Sequence, residues 1–185
     1  PQAHLLICGE ADDVHRNIPD QLDITAPVTW LSSAETLDTS ALISASDVCI
    51  CLEWPSGRHA MMSLVESLAA AKPSIVTDLA DRVDIPSLDP RDWHLRPLAS
   101  VHGRAGAFSS DAACVSIDIL DEDHSLPLAM IRLASDPALR AKLGSGAEAL
   151  WERRFTFDRL VRDFEAAITR APKVSLSDVR QAEFP

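Results

Sequence analysis

The sequence predicts an α/β fold in which a mainly parallel sheet is covered by helices on both faces. Short apolar runs rich in β-branched residues recur along the chain, and longer stretches with helical spacing separate or follow them. Most of the short runs are continuously apolar rather than alternating, as expected of parallel strands that are buried on both sides. Together these observations predict a Rossmann-like, three-layer sandwich.

Five strands and five helices account for the predicted fold. The strands are expected at residues 4–8, 28–31, 48–52, 74–77 and 114–118, and the helices at 34–45, 60–71, 125–135, 137–150 and 156–170. Ser33 is a suitable N-cap for the first of these helices, and Pro73 ends the second. Pro127 and Pro137 are expected in first turns, where a missing N–H is harmless. Residues 1–171 then form one domain, with a loop-rich insertion at 79–112, and residues 172–185 form a tail.

Composition narrows the class of protein. The 185 residues suit one domain, and 28 acidic against 17 basic side chains give a net charge of −11. This balance argues against nucleic acid and against a polybasic membrane contact. The apolar runs are too short for a transmembrane helix, and the first residues lack the basic region of a signal peptide. We therefore expect a cytoplasmic protein, with peripheral attachment to the inner membrane as a further option.

The segment from residue 48 to residue 77 is the one best suited to carry chemistry. It is predicted as strand, polar loop, helix, proline and strand, so the loop at 53–59 lies at the carboxyl end of a strand and leads into a helix. The free N–H groups of a helix start suit a diphosphate, and Arg58 can add a bidentate contact. Glu66, two turns into the helix, shares a face with His59 and Met62. Its carboxylate can accept both hydroxyls of a ribose or simply reach solvent.

Other polar groups have simpler explanations. Residues 121–124, Asp-Glu-Asp-His, could bind a cation, but they precede a helix whose dipole their charge complements. The four cysteines, at positions 8, 49, 51 and 114, are expected to be buried free thiols rather than metal ligands. Gly144-Ser145-Gly146 does not follow a strand, which disfavours a dehydrogenase-type fingerprint. Trp30 and Leu31 end a strand on the ligand side, where packing into the core is the simpler expectation.

These motifs, in this order, resemble the C-terminal domain of the retaining glycosyltransferases of family 4, which have the GT-B fold. The matching pieces are Pro55-Ser56, Glu66, Ala69-Ala70-Ala71-Lys72-Pro73 and Ile75-Val76-Thr77-Asp78. The resemblance extends to SASDVCICLEWPS and to DPALRAKLGSGAEALWERRFTFDRLVRDFEAAI, so it covers about residues 4–170.

The resemblance implies a hexosyltransferase that moves a hexose from a nucleoside diphosphate sugar to an acceptor hydroxyl with retention. It implies a nucleotide-sugar donor, no other cofactor, no essential metal, and a role in bacterial carbohydrate or cell-envelope polysaccharide biosynthesis. By position, Glu66 takes the ribose role, and Trp30 and Leu31 border the base. The full set of implied nucleotide-sugar-binding residues is Gly57, Arg58, His59, Ala60, Met61, Met62, Glu66, Trp30 and Leu31.

The chain also departs from the family pattern. Arg58 stands where the family has its first glutamate, and Met61 and Met62 replace small residues. The family's first strand with its Arg/Lys pair, and the N-terminal acceptor domain, have no counterpart. No catalytic residue is therefore assigned in this chain, and we expect it to be inactive without its partner domain. The alternative is a degenerate, non-catalytic domain for binding or scaffolding.

Overall fold

The structure is a computed structural model that describes residues 3–9, 13–22, 27–31, 38–52, 60–79, 85–96 and 111–171. Within these residues the strands form two sheets. β1 (Leu5–Cys8) pairs with β2 (Val28–Leu31), and a four-stranded sheet has the order β3-β4-β6-β5. The strands of the larger sheet are β3 (Cys49–Cys51), β4 (Ser74–Thr77), β5 (Ser87–Leu88) and β6 (Cys114–Ile117). Every ladder between these strands is parallel, which confirms the predicted α/β class.

Helices connect and cover the strands. They are α1 (Asp13–Arg16), α2 (Ile18–Gln21), α3 (Thr39–Ala45), α4 (Ala60–Ala69), α5 (Glu122–Ser135), α6 (Pro137–Arg154) and α7 (Phe157–Arg170). A single 3-10 turn, Ile119–Asp121, joins β6 to α5. Because β3 is parallel to β4, the connecting helix α4 begins at the carboxyl edge of the larger sheet.

The core lies on both faces of β4 and β6, whose residues are all buried. Side chains alternate across the sheet, so Val76 packs with Leu64 and Leu68 of α4 while Ile75 packs with Leu133 of α5. Helix α6 contributes to both clusters. The continuously apolar sequence of these two strands is thus explained by helices on either side. The same expectation is wrong for β1, which is mostly exposed, and with it Cys8 is exposed rather than buried.

The turn that ends α4 lies in close contact with α6. Lys72 N–H donates to the Ser67 carbonyl at 3.0 Å and Ala71 N–H donates to the Leu68 carbonyl at 3.1 Å, the bond pattern of a Schellman cap. Ala71 occupies the left-handed position of this cap, with φ of 54°. Its carbonyl lies so near Gly144 that a Cβ there would collide with it.

Replacing Ala71 by glycine should stabilise the protein by about 0.5–1 kcal/mol, because glycine adopts the left-handed conformation without a Cβ penalty. Urea unfolding compares this variant with Ala69→Gly, at the last residue of α4, where the backbone is helical and glycine should cost up to about 1 kcal/mol. A loss of stability in both variants would show that the Ala71 methyl packs more favourably than its backbone is strained.

Several predicted boundaries need correction. Helix α3 begins at Thr39, where the Asp38 carboxylate accepts the Ser40 N–H at 3.0 Å; the predicted cap at Ser33 lies outside the described residues. Helix α5 begins at Glu122, so Pro127 lies inside the helix rather than in its first turn. Pro137 does occupy the first turn of α6, as predicted. The stretch predicted as loop at 79–112 contains β5, and the predicted tail at 172–185 lies outside the described residues.

Candidate functional site

The carboxyl edge of the larger sheet carries an aspartate directly after three of its strands. Asp78 follows β4, Asp89 follows β5 and Asp118 follows β6. Because β4, β6 and β5 are parallel neighbours, the three carboxylates meet at one edge. Ligands of open α/β sheets bind at this edge, so it is the place to look for a site.

Two arginines join these carboxylates into one network. Arg91 Nη2 lies 2.7 Å from Asp89 Oδ2, and its Nη1 lies 3.6 Å from Asp118 Oδ2 and 3.7 Å from Asp121 Oδ2. Arg96 Nη1 lies 2.7 Å from Asp78 Oδ2 and donates to Ser116 Oγ at 3.2 Å. We name this network the arginine–aspartate cluster; it consists of Asp78, Asp89, Arg91, Arg96, Asp118 and Asp121. The cluster connects the ends of three strands and the start of α5.

A tight loop positions both arginines. Within it, Trp93 N–H donates to the Asp89 carbonyl at 2.7 Å, and Asp89 N–H donates to the His94 carbonyl at 3.0 Å. Trp93 has φ of 61°, an uncommon conformation for a bulky residue. Its ring packs against the core, and the guanidinium of Arg132 lies 5.6 Å from the ring centroid. The strained backbone is thus held by contacts on both sides of the loop.

Asp89 is the electrostatic centre of the cluster. Its side chain is 16% exposed, and it accepts hydrogen bonds from the Arg91 backbone and guanidinium. The hydrogen bond from the Arg91 side chain holds the pKa of Asp89 below its ordinary value, while partial burial opposes this shift. The same pairing raises the pKa of Arg91. Asp78 differs, since its side chain is 42% exposed and its ion pair with Arg96 uses Oδ2.

Helix α4, which begins at the same edge of the sheet, carries the predicted ribose ligand in its second turn. Glu66 is its one charged residue, and it lies on the exposed face together with Met62, one turn earlier. Leu64, Ser67 and Leu68 fill the opposite, buried face. Among the described residues no ion pair or side-chain hydrogen bond engages the Glu66 carboxylate, so it is available to a ligand.

The other predicted site residues fall in three places. Ala60 begins α4, and Met61 is half-buried against the core rather than facing a ligand. Trp30 and Leu31 are half-buried at the end of β2, which belongs to the smaller sheet. No hydrogen-bonded ladder joins the two sheets in the described part of the chain. Gly57, Arg58 and His59 lie outside the described residues.

The residues of the other candidate sites have structural roles. Glu122 and Asp123 lie in the first turn of α5, and Asp121 contacts Arg91 and His124. None of the four cysteines forms a disulfide, and burial raises the pKa of the Cys49 thiol. Across the described ranges, no group of three or more His, Cys, Asp or Glu side chains is arranged to hold a metal. Nor does any helix there have the length and apolar character needed to cross a membrane.

Sequence reasoning missed the arginine–aspartate cluster, although a signal for it exists. An aspartate stands immediately after Thr77, after Leu88 and after Ile117, the last residues of three strands. Polar residues in that position gather at the carboxyl edge of a parallel sheet. Comparison with known proteins adds no family assignment, since no protein-family model matches the chain and neither does any curated protein.

Proposed function

We propose that this domain binds the nucleoside diphosphate moiety of a sugar donor and is the donor half of a retaining GT-B hexosyltransferase. The observation that carries the proposal is Glu66, which is exposed and has no ion-pair partner among the described residues, on the helix that begins at the carboxyl edge of the sheet. A carboxylate placed two turns from a helix start can accept the ribose hydroxyls of a nucleotide whose diphosphate lies at the helix N-terminus. The resemblance to family 4 assigns Glu66 the same role.

The surroundings of Glu66 support this use. Met62, one turn earlier on the same exposed face of α4, offers an apolar contact beside it. In the sequence Arg58 comes shortly before α4, and in this proposal it supplies the positive charge expected beside a leaving diphosphate. Positive charge and helix N–H groups would stabilise that leaving group in the transition state.

Calorimetric titration with UDP, GDP and ADP tests the proposal. The wild-type protein should bind one of them, and Glu66→Ala should weaken that binding about tenfold, because hydrogen bonds to a charged group contribute about 1.5–3 kcal/mol. Glu148→Ala is the matched control, since it removes the same charge from an exposed position on α6. Equal binding by wild type and Glu66→Ala would refute the ribose role, and no binding by any of the three proteins would refute donor binding.

Arg58 in place of the family glutamate favours a second candidate, a binding domain without transferase activity. The two candidates share nucleotide binding and differ in turnover. Incubating the nucleotide-free chain, joined to its partner domain, with labelled nucleoside diphosphate sugars separates the two candidates. Release of free nucleoside diphosphate together with transfer of the labelled hexose to an acceptor hydroxyl or to water supports the enzyme, and binding without release supports the non-catalytic domain.

A further inference from the structure

Strand β1 has the sequence of a buried strand but the exposure of a surface one. It consists of the apolar run Leu-Leu-Ile-Cys, in which Leu5 is 42% exposed, Leu6 is 38% exposed and only Ile7 is half-buried. Successive side chains point to opposite faces, so β1 leaves apolar groups uncovered on both faces. Parallel sheets are normally covered on both faces, and a pair of strands alone is marginally stable. These features indicate that the β1–β2 pair is part of a larger sheet.

The main-chain groups on the free edge of β1 can be assigned from its ladder. In a parallel ladder the N–H and C=O of one residue point to one edge, and those of the next residue point to the other edge. The N–H groups of Leu5 and Gly9 both donate, at 3.0 Å, to carbonyls at the two ends of the β2 segment. Leu6 and Cys8 therefore direct their N–H and C=O groups away from β2, to an edge that has no ladder among the described residues.

Strand β3 leaves a matching edge on the larger sheet. Cys49 N–H donates to the Pro73 carbonyl at 3.0 Å, so the main-chain groups of Ile50 point away from β4. Ile50 is 40% exposed, and the described residues form no ladder on that edge. Natural edge strands are guarded by charges, by prolines or by shortness, as β5 is by its length of two residues. β1 and β3 contain neither charge nor proline, which favours pairing on both edges.

We infer that one further strand lies between β1 and β3, parallel to both, and joins the two sheets. The sheet then has the strand order 3-2-1-4-5-6 of the doubly wound fold, with β2, β1, β3, β4 and β6 in every position except position 1. The strand in position 1 comes before β1 along the polypeptide. It should be an apolar strand of about four residues, the length of β1, because both of its faces are covered. This inference follows from the strand edges and does not rest on nucleotide binding.

Other ways of covering these edges fit less well. Direct pairing of β1 with β3 needs no further strand, but the structure leaves Leu6 and Ile50 exposed instead. A second copy offers, among the described strands, only ones that already have a neighbour, so none of them can fill a gap between two edges. The segments of this chain outside the described ranges contain no run of four apolar residues without glycine, unlike β1.

Hydrogen exchange followed by NMR tests the inference on the 185-residue chain and on the protein translated from the whole gene. In the 185-residue chain the amides of Leu6, Cys8 and Ile50 should exchange quickly. In the whole protein each of them should exchange at least about a hundredfold more slowly, because its N–H gains an acceptor in the ladder. The Cys49 amide, which already donates within the larger sheet, is the matched control and should be protected in both proteins.

Proline at position 50 tests whether a single strand bridges both edges. Ile50→Pro removes an N–H that points into the gap and no bond to β4, so the 185-residue chain should keep its circular dichroism spectrum. In the whole protein the same substitution should return Leu6 and Cys8, across the gap, to fast exchange. Ile50→Lys, which adds an edge charge without constraining the backbone, should act in the same way. Ile50→Val keeps the donor and should change nothing.

Three results would overturn the inference. The first is equally fast exchange of the three edge amides in both proteins, which includes the case of a gene that encodes no strand before β1. The second is slow exchange already in the 185-residue chain: a dependence on concentration would assign the edges to a second copy, and its absence would assign them to direct pairing or to another segment of this chain. The third is continued protection of Leu6 and Cys8 in the whole protein when position 50 is proline and when it is lysine.

Discussion

Replacing Gly146 by alanine should lower the free energy of unfolding by about 2 kcal/mol, in the range of overpacking a close helix contact. A Cβ at this position would collide with the Ala112 carbonyl, which belongs to the backbone leading into β6 and cannot rotate away. The adjacent Ala113 N–H donates to the Pro86 carbonyl at 2.8 Å, so a shift of this segment would also disturb the approach to β5.

The expected loss of stability is opposite in sign to the usual effect of this substitution in a helix. In a helix interior, glycine to alanine ordinarily stabilises by about 1 kcal/mol. The exposed neighbour Ser145 is the control, since Ser145→Ala should change stability by a few tenths of a kcal/mol in the favourable direction. Urea unfolding of both variants gives the comparison. A Gly146→Ala protein as stable as the wild type would mean that α6 can move away from β6 without cost.

Replacing Asp89 by alanine should destabilise the protein by about 2 kcal/mol, because hydrogen bonds to a charged group contribute about 1.5–3 kcal/mol. The carboxylate accepts from the Arg91 backbone at 3.0 Å, from Arg91 Nε at 3.0 Å and from Arg91 Nη2 at 2.7 Å. Asp123→Ala, which removes an exposed carboxylate from the start of α5, should change stability far less. Equal effects of the two substitutions would contradict a central role for Asp89.

The same carboxylate should make stability depend on pH. The pKa of Asp89 is lower in the folded protein than the ordinary aspartate value of about 4. The folded state therefore gains stability at pH values above about 4 and loses that gain as the pH falls through the lower, folded value. Below pH 4 the unfolding free energy of Asp89→Ala should fall less steeply than that of the wild type.

Apolar continuity predicted the bounds of two strands, β2 and β4, and Pro73 was predicted to lead into β4. β2 and β4 begin directly after Pro27 and Pro73, and both match the predicted bounds. The predicted start of α5, at residue 125, is later than its observed start at Glu122. Ser125 was expected near the first turn, but its hydroxyl donates to the Asp121 carbonyl at 2.7 Å inside the helix, while the Asp118 carboxylate accepts from Leu120 N–H in the preceding 3-10 turn.

The sequence alone could not predict that the residues of the arginine–aspartate cluster lie side by side. Asp78, Asp89 and Asp118 are distant along the chain, and the order β4-β6-β5 is what places their strands side by side. β5 has two residues, too few for any periodicity to predict it. By contrast, the helical spacing of the apolar residues of α4 correctly placed Glu66 on the exposed face of the helix. That spacing alone did not decide whether its carboxylate binds a partner.

The pairing of the strands also predicts that amide hydrogens exchange at different rates in different parts of the molecule. β4 and β6 each have a hydrogen-bonded neighbour on both edges and are covered on both faces. β1 and β2 are joined by a single ladder, and in the described residues no ladder connects them to the larger sheet. Opening of that pair breaks few contacts of the core, so its amides exchange through local fluctuations, whereas those of β4 and β6 exchange only when the domain as a whole unfolds.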